Sequence, residues 1–213
     1  MMQIRRFVAN PIGENCYVLW DESKECAIID CGALGTEKQQ RISQFIADNG
    51  LMPRLALQTH MHFDHIFGLP FLSREYGLKP RYHAGDQKIY DAAAAMSRDW
   101  FGMDMEQPLP QAETYLSDNE ELHFGNTTLR VLHTPGHTPG GVTFFEPQTK
   151  SAFTGDTLFA GSIGRTDLPD GDFETELSSI RERLFTLPPE AIVYPGHGPS
   201  STIADEGLHN PYI

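Results

Sequence analysis

One stretch, Thr59-His60-Met61-His62-Phe63-Asp64-His65, constrains this chain more than any other. From the chain's own residue frequencies, His-x-His-x-Asp-His arises by chance in about one such chain in a thousand. Residues 55–59 before it read as a short buried strand. Alternate side chains of an extended backbone share a face, so His60 and His62 can hold one metal ion. Residues 66–76 read as helix, which puts Asp64 and His65 at the turn into it, aimed at a second position. A lone histidine beside a strand is ordinarily a core or surface residue. Three of them with an aspartate at this spacing predict a metal centre.

The remaining features limit the function classes. The 213 residues suffice for a sizeable core and a single domain. A formal net charge of −13 repels phosphate backbones, so no nucleic-acid partner is expected. The opening residues lack the apolar run of a signal peptide, and no stretch approaches a membrane span. No membrane partner and a cytoplasmic location are therefore expected. Cys16, Cys26 and Cys31 form no Cys-x-x-Cys pair and read as small, buried, reduced thiols.

In chain order, residues 3–9, 16–20 and 25–30 read as strands. The third strand ends at Asp30, which either supports a metal ligand or bonds its own turn. Residues 36–48 carry Ile42, Phe45 and Ile46 at helical spacing, stopped by Asn49-Gly50. Residues 80–83 read as a strand, and Asp86 as the cap of a helix running to about residue 100. Residues 101–119 show no period and read as a long connector. Trp100, Phe101, Met103 and Met105 are expected to pack against the body or a second subunit, with a substrate cleft as the alternative. The second half repeats the plan. Residues 121–124 and 127–132 form a hairpin about Gly125-Asn126, followed by strands at 141–145 and 151–154, a helix at 173–185, a strand at 191–194 and a helix at 202–208. The domain, 1–213, thus reads as two similar halves, about 1–115 and 116–213.

Four of the apolar runs end in a candidate ligand. They lead to His60, to His137 through Thr134-Pro135-Gly136, to Asp156 through Gly155, and to His197 through Pro195-Gly196. Glycine and proline there make tight turns and allow close backbone approach. With His62, Asp64 and His65 the chain offers seven nitrogen and oxygen donors and no cysteine. That set suits zinc first, with iron or manganese as alternatives.

These motifs resemble the metallo-β-lactamase superfamily: His-x-His-x-Asp-His, Thr-Pro-Gly-His-Thr-Pro-Gly, Thr-Gly-Asp-Thr-Leu-Phe and Tyr-Pro-Gly-His-Gly, spread from about residue 30 to 198. The branch most resembled is the small glyoxalase II-like hydrolases. The resemblance implies an α/β fold, an αββα four-layer sandwich of two mixed sheets with helices on the outer faces. It implies one metal on His60, His62 and His137, a second on Asp64, His65 and His197, and Asp156 bridging them.

Two divalent ions at such a site favour a bridging hydroxide that attacks a carbonyl, with Asp64 orienting it. A small-molecule thioester such as S-lactoylglutathione suits the chemistry, because thiolate leaves without a strong acid. Arg165 matches a basic position of glyoxalase II and reads either as a carboxylate ligand or as the partner of Asp167. Asp167 stands where those enzymes have a tyrosine, and no counterpart of their extra C-terminal helical domain is expected. Met61 is expected to narrow the approach to the metals. The chain is expected to act as a monomer or homodimer. The rival readings are a mononuclear iron persulfide dioxygenase on His60, His137 and Asp156, a β-lactamase, a nuclease, and a non-catalytic metal-binding module.

Overall fold

The computed structural model describes residues 1–213. Its first sheet takes β1 (Gln3–Val8), β2 (Asn15–Trp20), β3 (Glu25–Ile29), β4 (Met52–Leu57), β5 (Pro80–His83) and β6 (Thr114–Leu116), side by side in that order. It is antiparallel from β1 to β3 and parallel from β3 to β6. The later strands are β7 (Glu121–Phe124), β8 (Thr127–His133), β9 (Val142–Glu146), β10 (Ser151–Gly155), β11 (Leu158–Phe159), β12 (Ser162–Ile163), β13 (Ile192–Pro195) and β14 (Ser201–Thr202). The second sheet runs β14-β13-β10-β9-β8-β7, while β11 and β12 form a separate small hairpin. The helices are α1 (Gly35–Asp48), α2 (Phe63–Ile66), α3 (Leu69–Tyr76), α4 (Gln87–Phe101), α5 (Phe173–Ser179) and α6 (Ile203–His209).

Strand periodicity decides the layering. In β3, Cys26 and Ile28 join a core with Ile42 and Ile46 of α1 and Phe63 and Ile66 of α2. Their neighbours Ala27 and Ile29 face the other way, into a core shared with Phe144 and Phe153 of the second sheet. On the far side, Ala152 and Val193 pack against Leu177, Ile180 and Ile203. Strands that are apolar on both faces must be covered on both faces. The result is the expected four-layer order of helices, sheet, sheet, helices.

Three local expectations need correction. The helix expected over 66–76 is two helices, with a break at Phe67-Gly68. The Gly68 amide donates to the Cys31 carbonyl at 2.7 Å, and a Cβ at Gly68 would lie 2.5 Å from Cys31 Sγ. The connector after α4 contains β6 at a sheet edge, a strand too short to show a period. Its Met105 is buried in the helical-layer core, while Trp100 and Phe101 are half exposed. Finally, residues 173–185 hold α5 followed by one wider π turn at Ile180–Leu184. No helix is long and apolar enough to cross a membrane.

Candidate metal centre

Strand direction gathers the candidate ligands. β8 and β10 both run antiparallel to β9, and β10 runs parallel to β13. The C-terminal ends of β8, β10 and β13 therefore share one edge, and from them the chain reaches His137, Asp156 and His197. In the first sheet, parallel β3 and β4 likewise end together at Asp30 and His60. Hydrogen bonds join the two edges. The Val142 amide donates to the Thr59 carbonyl at 2.8 Å, and the Tyr17 hydroxyl to the Pro195 carbonyl at 2.7 Å. Sites at the carboxyl ends of strands follow from this kind of convergence.

The seven side chains come together as two groups. Donor atoms of His60, His62 and His137 lie within 4.8 Å of one another, as do those of Asp64, His65 and His197. Asp156 sits between the groups. Its Oδ1 is 3.3 Å from His65 Nε2, and its Oδ2 is 3.7 Å from both His137 Nε2 and His197 Nε2. His197 Nε2 is 3.2 Å and His65 Nε2 3.8 Å from Asp64 Oδ2. Donors about 2.1 Å from a tetrahedral ion lie roughly 3.4 Å apart. Most of these separations are long for a hydrogen bond and fit that edge length. His62 Nδ1 and His137 Nε2, at 2.9 Å, stand somewhat closer. His60 Nε2, His65 Nε2 and Asp156 Oδ1 are buried without any hydrogen-bond partner. Such orphaned donors and acceptors are costly in a folded protein unless something completes them, and a metal cation fits all three.

Other groups fix each ring. Thr59 Oγ1 is 3.1 Å from His60 Nδ1, and the Arg165 carbonyl is 2.7 Å from His137 Nδ1. Both rings thereby turn Nε2 towards the site, whereas His62 presents Nδ1. Asp30, buried and at φ +50°, accepts from the Thr59 amide at 2.7 Å and the Thr59 hydroxyl at 2.6 Å. Its Oδ2 also lies 3.1 Å from His65 Nδ1. Asp30 thus supports His65 and Thr59, and although it also falls near His60, its oxygens are already engaged. Gly155, at φ +52°, lies against Thr59, where a Cβ would come within 2.2 Å of Oγ1.

Charge divides the groups as well. Burial lowers His62 to about 3, with His137 adding to the effect, and holds His60 and His137 below the ordinary histidine range. These three are neutral lone-pair donors. At His65 burial acts in the same direction but is outweighed by Asp156 and Asp64, so its pKa is raised. His197 is raised against burial by its hydrogen bond to Asp64. Burial would raise Asp64 and Asp156 too, yet His65 holds both low. Protons and a metal cation compete for the same lone pairs here.

Two expectations about flanking residues fail. Met61 is fully buried in the helical-layer core and does not narrow the approach, because side chains alternate along the loop between two inward histidines. Asp86 does not cap α4. Its carboxylate instead accepts from the Met61 amide at 3.0 Å, the Thr138 hydroxyl at 2.9 Å and the Gly140 amide at 2.6 Å. It therefore ties the His60–His62 loop to the His137 loop. Glu176 has a related role, accepting from the His137 amide at 2.8 Å. Nothing local marks either residue in the sequence, since their partners are distant along the chain.

The model of the Metallo-beta-lactamase superfamily matches residues 9–197, the span that contains every donor described above. The chain belongs to the metallo-beta-lactamase superfamily. Within it, the hydroxyacylglutathione hydrolase GloC of Haemophilus influenzae is 36% identical over 100% of this chain and 98% of its own length. The mitochondrial persulfide dioxygenase ETHE1 of Bos taurus is 34% identical over 92% of this chain and 70% of its own length. Among solved superfamily structures, TTHA1623 in a di-iron-bound form is 35% identical with a TM-score of 0.86, covering 98% of this chain and 100% of that one.

Proposed function

We propose that this superfamily member is a dinuclear metal-dependent hydrolase, a thioesterase of the glyoxalase II type that opens small acyl thioesters such as S-lactoylglutathione. One observation carries the reading: two donor groups with Asp156 lying between them, and buried donor atoms left unpaired at both. His60, His62 and His137 would hold one ion, Asp64, His65 and His197 the other, and Asp156 both. The donor set favours zinc, with iron or manganese as alternatives. Two divalent ions there would supply Lewis acidity and lower the pKa of water.

The chain's own residues supply the rest. Asp64 holds His197, and its carboxylate lines the cleft, where it can orient an attacking water by accepting a hydrogen bond from it. Asp30 keeps His65 in one tautomer, with Nε2 facing the site. The Arg165 carbonyl does the same for His137. A thiol of ordinary pKa, about 8.5, leaves as thiolate, so no strong general acid is needed.

The similarity to ETHE1 supports a second reading, a mononuclear iron dioxygenase on His60, His137 and Asp156. The complete second group favours the hydrolase. Metal analysis with a thioester hydrolysis assay, on the wild type and His62→Ala, tests the proposal. The expected result is two metals per wild-type chain, with loss of metal and of hydrolysis in the variant. A fully active His62→Ala protein sinks the hydrolase mechanism, and one iron per chain with oxygen uptake supports the dioxygenase.

A further inference from the structure

The cleft above the donors has an apolar outer wall made by Ile12, Phe63, Met96, Trp100, Phe101 and Leu168. The Phe63 and Phe101 rings pack with centroids 5.0 Å apart. Trp100 and Phe101, at the end of α4, are 50% and 49% exposed, and they offer this wall an apolar area that a ligand can cover. The cleft holds about 180 Å³. Pockets that enclose drug-sized ligands hold roughly 300–1,000 Å³, so this one takes a ring or a branched chain rather than a tripeptide.

Charge points the same way. Arg165 is the only basic side chain lining the cleft besides the histidines. Its Nε and Nη2 donate to the two carboxylate oxygens of Asp167 at 2.8 and 2.9 Å. On α4, Lys88 pairs with Asp170 and Arg98 with Asp99. The Lys88–Asp170 pair also ties α4 to the segment carrying Arg165 and Leu168. A glutathione thioester brings two carboxylates and one ammonium, and each cation on these walls already has a carboxylate partner with which its carboxylates would compete.

We propose that the cleft selects thioesters with an apolar acyl group, aromatic or branched, on an uncharged thiol carrier, and disfavours glutathione thioesters. The inference rests on the thioesterase reading and departs from its S-lactoylglutathione example in both the acyl group and the thiol carrier. In the reaction, water oxygen bonds to the acyl carbon, the carbon–sulfur bond breaks with its electron pair on sulfur, and an apolar carboxylic acid and a free thiol are released. Trp100 and Phe101 act as specificity-determining residues that cover the acyl group.

The test compares kcat/KM of the metal-loaded protein on S-phenylacetyl-N-acetylcysteamine and on S-lactoylglutathione. The expected preference for the aromatic substrate is about tenfold or more, the scale on which an apolar pocket discriminates. Trp100→Ala and Phe101→Ala should each cut that preference about tenfold, and Trp100→Phe should keep it. Asp167→Ala frees Arg165 and should shift the preference towards S-lactoylglutathione. Equal or better turnover of S-lactoylglutathione by the wild type overturns the inference and leaves the thioesterase reading standing. So does a preference indifferent to Trp100→Ala and Phe101→Ala. If neither thioester is hydrolysed, the thioesterase reading falls and takes the inference with it.

Discussion

Replacing Asp86 by alanine removes one carboxylate that joins two ligand loops. Three donors lose their acceptor: the Met61 amide, the Thr138 hydroxyl and the Gly140 amide. Asp86 and Thr138 are fully buried, so water cannot easily replace the lost bonds. At about 2 kcal/mol per unsatisfied buried donor, the loss is about 6 kcal/mol. Against it stands the cost of keeping the carboxylate ionised. Burial outweighs the three hydrogen bonds and raises its pKa from 3.8 to about 6. That shift corresponds to about 3 kcal/mol at pH 7, which the substitution recovers. The expected net loss is about 3 kcal/mol, read by urea denaturation of the metal-free protein. Because Met61 lies between His60 and His62, and Thr138 follows His137, the variant should also bind metal more weakly. A change below about 0.5 kcal/mol with undiminished metal affinity would refute the bridging role.

The same group sets a pH dependence. Its folded pKa lies above its unfolded value, so its contribution to stability is fully present below pH 4 and is lost as pH rises to about 6. Asp86→Asn has no such titration, so the stability difference between variant and wild type should change by about 2 kcal/mol between pH 4 and 6, in favour of the variant at the higher pH. A difference that stays flat over that range contradicts the raised pKa. Asp30→Asn cannot accept from Thr59 and His65 as the carboxylate does, so affinity at the Asp64–His65–His197 group should fall about 10–100-fold, measured by competition with a chelator. Unchanged occupancy of the second metal would count against that role. Gly155→Ala places a Cβ 2.2 Å from Thr59 Oγ1 at a backbone φ of +52°, and should destabilise the protein by at least about 2 kcal/mol in denaturation experiments; a neutral result would show that the two edges can part freely.

Much of the site is local and could be read directly. His60, His62, Asp64 and His65 fall within one strand exit and one helix start, where backbone period fixes which side chains share a face. The strands ending at His137, Asp156 and His197 were visible as apolar runs closed by Gly and Pro. Observed boundaries differ from the expected ones by up to three residues, and β6 escapes the sequence pattern because three residues carry no period. Asp86 looked like a helix cap because Asp before a helix ordinarily is one, and only its neighbours in space show otherwise.

Sequence by itself determined the donor types, their local spacing and the two-faced strands that demand four layers. Tertiary structure decided which ring nitrogen each histidine presents, that Asp30 supports His65, that Arg165 is bound to Asp167, and that Trp100 and Phe101 line the cleft while Met105 is buried. The physical reason is range. A backbone period acts over a few residues, but His62 and His137 meet 75 residues apart, through strand order and sheet packing that no local pattern encodes.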